Sequence, residues 1–143
     1  MAAVEGWGLI MKGYTSTHCL SPREVEIFEL VTAFVAALPE RDREGAPVRC
    51  HEVARAVARY LDLVGVVGVQ VVDGRYFAAE HTWLVLGSRL ILDTYAVARL
   101  PVVQLILPWF GSVEPYQAGA ARTDINEGVV TMLCARGSKG GMQ

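Results

Sequence analysis

Apolar positions recur along this chain with two different periods, and the change of period falls near Gly65. Upstream, Val25, Phe28, Val31, Val35 and Leu38 follow one another at helical spacing. Just before them stands Ser21-Pro22-Arg23-Glu24: an N-cap serine, a proline at the first helical position and a glutamate at the third. These are the elements of a capping box. The pattern predicts a helix that stops at Leu38-Pro39, because a residue before proline avoids the α region. Residues 40–47 are charged and carry Gly45 and Pro47, the composition of a surface loop. A second stripe, Val53, Ala54, Val57, Leu61 and Val64, predicts a helix from about 48 to 64 with Gly65 as its C-cap. Arg49, Arg55, Arg59 and Asp62 mark its wet side, and Cys50 falls in its first turn.

Beyond Gly65 the period becomes that of strands. Residues 66–72 are rich in valine, and Asp73-Gly74 is a strong hairpin turn signal. Residues 75–80 lead into 81–86, Gly87-Ser88 turns the chain, and 89–93 follow, which together read as an antiparallel meander. Pro101 and Pro108 bracket a further strand over 102–107, and residues 111–122 read as loop. Asp124-Ile125-Asn126-Glu127 resembles a second capping box that opens a short helix through Arg136, although Val129-Val130-Thr131 argues equally for a strand. Residues 1–20 read as loop or a short edge strand, and 138–143 as a frayed end. Helices followed by strands predict an α+β fold, with N-terminal helices packed on an antiparallel sheet. No repeat or linker divides residues 1–143, so a single domain is expected.

Composition narrows the partners. The chain has 143 residues, 52% of them hydrophobic and 20% charged, which suffices for a full core. A net charge of −2 gives no electrostatic footprint for nucleic acid. The apolar runs at 63–72 and 102–110 are short of the roughly 20 residues of a spanning helix. The N-terminus has no basic segment followed by an apolar one. A cytoplasmic protein without nucleic-acid or membrane partners is expected. The three cysteines, Cys19, Cys50 and Cys134, are odd in number and widely spaced, which argues against a disulfide framework. His18-Cys19 and Cys50-His51 are adjacent pairs, and adjacent ligands rarely converge on one tetrahedral ion. Neither a metal nor another cofactor is expected.

Cys50 is where chemistry is most strongly suggested. A thiol attacks carbonyls as the thiolate, which the positive end of a helix favours, and Arg49 adds a cation. The same unpaired N–H groups suit the oxyanion of a tetrahedral intermediate. A base and an orienting partner are then required. His51 is a poor base, because helix neighbours point about 100° apart. His81 opens one predicted strand and Asp93 closes the next. A clean two-residue turn at Gly87-Ser88 sets His81 opposite Thr94 and Asp93 opposite Thr82, on different faces. An odd loop or a bulge puts His81 and Asp93 on one face, and such a loop is expected here. The plainer readings are a buried Cys50, a half-buried His81 and an Asp93 that caps a strand. Trp83 reads as core or hydrophobic shield, Cys134 as packing and Glu52 as a favourable first-turn acid.

Cysteine at a helix start, then His-x-Trp, then aspartate in the next strand resembles the transglutaminase-like branch of the papain-like cysteine hydrolases. The segments are Cys50-His51-Glu52-Val53-Ala54, His81-Thr82-Trp83-Leu84 and Ile91-Leu92-Asp93-Thr94. Tyr76-Phe77-Ala78-Ala79-Glu80-His81-Thr82-Trp83 is also similar to the histidine region of the small leader-peptide proteases of lasso-peptide maturation. The resemblance spans residues 48–95. Thr82 stands where the family usually has alanine, and no glutamine precedes Cys50 in the papain manner, Glu44 lying six residues before it. The resemblance implies a papain-like core and a thiol attack on an amide carbonyl of a peptide or protein, without a cofactor. Cys50 would be the nucleophile, His81 the base and acid, and Asp93 the orienter. It also implies a separate protein that delivers the substrate. Glutamine deamidation or acyl transfer by the same triad is the neighbouring expectation. The competitor from another class is a non-catalytic binding or assembly module, with Cys50 buried and apart from His81.

Overall fold

Two reciprocal hydrogen bonds start the first helix, α1 (Pro22–Ala36): Ser21 Oγ accepts from the Glu24 N–H at 3.1 Å, and Glu24 Oε1 accepts from the Ser21 N–H at 2.8 Å. This is the capping box the sequence predicts. The structure is a computed structural model that describes residues 20–88, 90–94, 104–106 and 116–141. The expectations for residues 1–19, Cys19 among them, lie outside the described residues. Helix α1 buries Val25, Ile27, Phe28, Val31 and Phe34. The loop that follows folds on itself through an Arg41–Pro47 bridge and a Val48 N–H to Glu40 carbonyl bond of 3.0 Å. Helix α2 (Cys50–Leu63) therefore begins two residues later than its apolar stripe suggests. Gly65, at φ +86°, takes the left-handed conformation that follows a helix end.

Residues 127–141 form a helix, α3 (Glu127–Gly141), and not a strand. Its cap is Asn126, whose Oδ1 accepts from the Val129 N–H at 3.2 Å. Asp124 is drawn away to Arg49 and Arg122. The expected frayed end is helical through Gly141 for a tertiary reason. A Cβ on Gly137 would lie 2.4 Å from the Phe34 ring, and one on Gly140 would lie 2.5 Å from the Ala37 Cβ. Two missing side chains let α3 lie close against α1. Val130, Leu133 and Cys134 are buried there, the last as packing.

The sheet has five described strands, β1 (Val69–Tyr76), β2 (Ala79–Leu86), β3 (Leu90–Asp93), β4 (Gln104–Ile106) and β5 (Tyr116–Ala118), in the order β4-β3-β2-β1-β5 with every neighbour antiparallel. The α+β class, the antiparallel hairpin of β2 and β3 and a strand within 102–107 are as predicted. Two expectations are corrected. Asp73-Gly74 lies inside β1, and the first hairpin turns at Phe77-Ala78, with Phe77 at φ +53°. The turn propensity of Asp73 is overridden by its buried ion pair with Arg55. Within the expected loop 111–122, β5 pairs with β1, a strand too short to show a period.

The second hairpin sets the faces. Leu84 pairs with Leu92, Val85 with Ile91 and Leu86 with Leu90, so three residues form the connection and its parity is odd, as predicted. Gly87 and Ser88 both adopt positive φ there, +58° and +56°. On one face Leu84, Leu86, Leu90 and Leu92 join the core against the helices. On the other, Trp83, Ile91 and Tyr116 form a smaller cluster with Val72, Tyr76 and Val85. Among the described residues no helix is long and apolar enough to cross a membrane.

Gly137→Ala tests the α1–α3 contact. Helix preference alone favours alanine by about 1 kcal/mol, whereas overpacking against Phe34 costs about 1–3 kcal/mol. Urea unfolding is expected to show net destabilisation, with the exposed Arg136→Ala nearly neutral.

Candidate active site

Cys50 is the first residue of α2, and its side chain is buried, at 8% exposure. The N-cap, Arg49, makes no side-chain capping bond. Val53 is the first residue whose N–H bonds back, to the Arg49 carbonyl at 3.1 Å. The N–H groups of Cys50, His51 and Glu52 therefore have no acceptor within the helix. Glu52 does more than decorate the first turn. It is buried, accepts from Arg49 Nε at 2.8 Å and from the Asn126 N–H at 3.2 Å, and so ties the start of α2 to the start of α3.

His81 and Asp93 share one face of the sheet, as the odd loop requires. His81 Nε2 lies 2.8 Å from Asp93 Oδ2, and both side chains are buried. The Tyr116 hydroxyl donates to the same carboxylate oxygen at 2.6 Å. Tyr76, Trp83 and Tyr116 surround the imidazole, with ring centroids 5.9, 6.1 and 6.4 Å away. Gly74 pairs with His81 across β1 and β2, and a Cβ there would come within 2.9 Å of the Trp83 ring and 2.1 Å of the Gln117 carbonyl. Glycine is needed at that point for close approach and not for a turn. Burial pushes His81 down, but its hydrogen bonds with Asp93 and Cys50, and the charges of both, push it up to about 9. Tyr116 is held protonated, first by burial and then by the charge of Asp93.

A second imidazole touches the thiol. Cys50 Sγ lies 3.5 Å from His51 Nδ1, so the angular separation expected of neighbours does not keep the two apart. His51 Nδ1 is 2.6 Å from Thr82 Oγ1, and Thr82 donates to Asp73 Oδ1 at 2.7 Å. Asp73 also receives Arg55 through two bonds of 3.0 and 2.6 Å, and the Arg122 N–H at 3.0 Å. Arg55, read from sequence as wet, is thus half-buried. Burial raises the Asp73 carboxyl, but these donors outweigh it and hold it at about 2. An ionised Asp73 only accepts, so the one Thr82 proton goes to it and Thr82 accepts from His51 Nδ1–H. Burial first, then Arg122 and Arg49, lower His51 and keep it neutral. The thiol is therefore bordered by one imidazole that favours the cation and one that is neutral.

The structure brings Cys50, His81 and Asp93 together, and it adds Tyr116, which sequence reasoning leaves out, together with His51, Thr82 and Asp73, to which it gives no part in the site. Thr82 had a signal: a hydroxyl in place of the usual alanine, on the strand face opposite His81. Tyr116 had none beyond its being aromatic. Among the described residues no group of three or more His, Cys, Asp or Glu could hold a metal ion. No family model, no curated protein and no solved structure matches the chain.

Two outcomes are expected. Protonated His81 adds stability that is fully present below its ordinary value of about 6.5 and is lost as pH rises through about 9. Thermal melts between pH 6 and 10 should therefore fall more steeply for the unaltered protein than for His81→Gln. Thr82→Val leaves His51 Nδ1 and Asp73 Oδ1 each short of a partner, and urea unfolding should show a loss of about 2–4 kcal/mol, against less than about 1 for Thr82→Ser.

Proposed function

We propose that the protein is a cysteine hydrolase of amide or peptide bonds with a papain-like, transglutaminase-like core, acting through Cys50, His81 and Asp93. The observation that carries the reading is the His81 Nε2 to Asp93 Oδ2 bond of 2.8 Å, formed because an odd hairpin loop sets both side chains on one face. With Nε2 engaged, Nδ1 is the nitrogen left to serve the thiol and the substrate. The elevated His81 suits an imidazolium paired with a thiolate.

In the proposed cycle the Cys50 thiolate attacks the amide carbonyl carbon, and the carbonyl electrons move to oxygen. N–H groups from the first turn of α2 are positioned to receive that oxyanion. When the tetrahedral intermediate collapses, the C–N bond breaks and His81 gives its proton to the leaving nitrogen. The now neutral His81 takes a proton from water, which attacks the thioester. The carboxylic acid leaves, and thiolate and imidazolium are restored. An acceptor amine in place of water gives acyl transfer, and a glutamine side chain as substrate gives deamidation. Asp93 and Tyr116 hold the imidazole plane and lie apart from the reacting atoms. The substrate is a peptide or protein, and the likeness to leader-peptide proteases adds a separate delivery protein as partner. The buried Cys50 also fits the binding-module reading, but the conjunction of charged imidazole, carboxylate and helix start favours catalysis.

Iodoacetamide labelling at neutral pH, read by peptide mass, is expected to modify Cys50 roughly tenfold faster than Cys134. That advantage should vanish in His81→Ala and shrink in Asp93→Asn. An activated ester should give a burst of product equal to the enzyme present, absent in Cys50→Ser. Equally slow labelling of all cysteines would sink the proposal.

A further inference from the structure

At the C-terminal end of α1, walled in part by chain neighbours of Cys50 and Asp93, is a pocket of about 410 Å³. Its walls are Val35, Leu38, Pro39, Val48 and Val53, with Glu40 exposed at the rim and Thr94 buried within. The pocket is fixed to both segments of the site. Val48 lies two residues before Cys50, Val53 lies three after it on the same helical face, and Thr94 directly follows Asp93. Thr94 is 1% exposed, and its Oγ1 finds no hydrogen-bond partner among the described residues. A buried hydroxyl without a partner lowers stability, and a valine of the same shape would avoid that cost. The hydroxyl is thus placed for something outside the folded chain.

We propose that this pocket receives an uncharged substrate side chain, apolar along its length and ending in a hydroxyl that meets Thr94 Oγ1, on the acyl side of the bond Cys50 attacks. The inference rests on the hydrolase reading and deepens it. The five apolar walls favour an apolar body, and among the described residues no wall residue offers a cation to a carboxylate. The side of the bond follows from strand parity. His81 and Asp93 occupy one face of the sheet, and the alternation of β3, carried one residue past its end, puts Thr94 on the other with Leu90 and Leu92. The leaving nitrogen must lie by His81 to take its proton, so a side chain on the Thr94 side belongs to the acyl part.

The test uses N-acetyl aminoacyl chloromethyl ketones, in which the Cys50 sulfur forms a bond to the methylene carbon and chloride leaves. Tyrosyl, phenylalanyl, aspartyl, lysyl and glycyl probes are compared by the rate of Cys50 modification. The tyrosyl probe is expected to exceed the phenylalanyl by about fivefold, one neutral hydrogen bond. Both should exceed the aspartyl and lysyl probes by about tenfold or more. Thr94→Val should bring the tyrosyl-to-phenylalanyl ratio to about one without lowering the melting temperature. Leu38→Trp, which fills the pocket from its surface side, should slow the aromatic probes and spare the glycyl one. Fast labelling indifferent to the side chain, or a tyrosyl preference that survives Thr94→Val, overturns the pocket assignment alone. Failure of every probe to distinguish Cys50 from Cys134 overturns the nucleophile, and the pocket with it.

Discussion

Three residues separate Leu86 from Leu90, and their odd number decides what each side of the sheet contains. In a strand, neighbouring side chains point to opposite faces, so shifting the pairing by one residue exchanges the two sets. With the observed register, Leu84, Leu86, Leu90 and Leu92 meet the helices, while His81, Trp83, Ile91 and Asp93 form the other face. Thr82 falls on the helix side, within reach of His51. One loop length therefore supplies the core, the imidazole–carboxylate pair and the hydroxyl relay together. The hydrophobic term defends the register, because a slip would expose four leucines at about 1.5–3 kcal/mol each. The polar site is held in place by apolar burial that takes no part in its chemistry.

Around Cys50 the two buried aspartates serve separate sets of donors. Asp93 serves His81 and Tyr116, and Asp73 serves Arg55, Thr82 and the Arg122 backbone. Asp73 has donors enough to stay ionised in a dry setting, where an unpaired charge would be intolerable. The division gives the two histidines different states. His81 faces a carboxylate directly and is drawn toward the cation against its burial, while a neutral hydroxyl stands between His51 and Asp73, and burial first, then nearby arginines, push His51 the other way. The thiol thus has one imidazole drawn toward the cation and one held neutral beside it.

Features governed by local chemistry were legible from the sequence. The Ser21–Glu24 box needs only four residues, and it forms as read. Cys50 at a helix start followed from the apolar stripe of α2. The odd hairpin was deduced from what His81 and Asp93 need in common, a functional demand and not a propensity. Errors arose where distant groups outweigh local preference. Asp73-Gly74 has turn chemistry, yet Arg55 claims the aspartate and the Trp83 ring claims the space above the glycine. Gly137 and Gly140 weaken a helix in isolation, yet here they allow contact with Phe34 and Ala37. Tyr116 lies in a three-residue strand that pairs, among the described residues, with the edge of β1. His51 was discounted on ideal helical angles, which fix the direction of Cβ and not the reach of an imidazole.

The tie between Glu52 and the Asn126 N–H also has a temporal side. Tyr116, Arg122 and Asn126 all leave the ribosome after Cys50, His81 and Asp93. Until they arrive, Asp93 lacks the phenol donor, Asp73 lacks a backbone donor, and the first turn of α2 is not anchored to α3. A nascent chain ending before residue 116 would hold Cys50, His81 and Asp93 without the phenol donor to Asp93 and without the tie between α2 and α3. The order of synthesis thus keeps the thiol's surroundings incomplete until the start of α3 has been made.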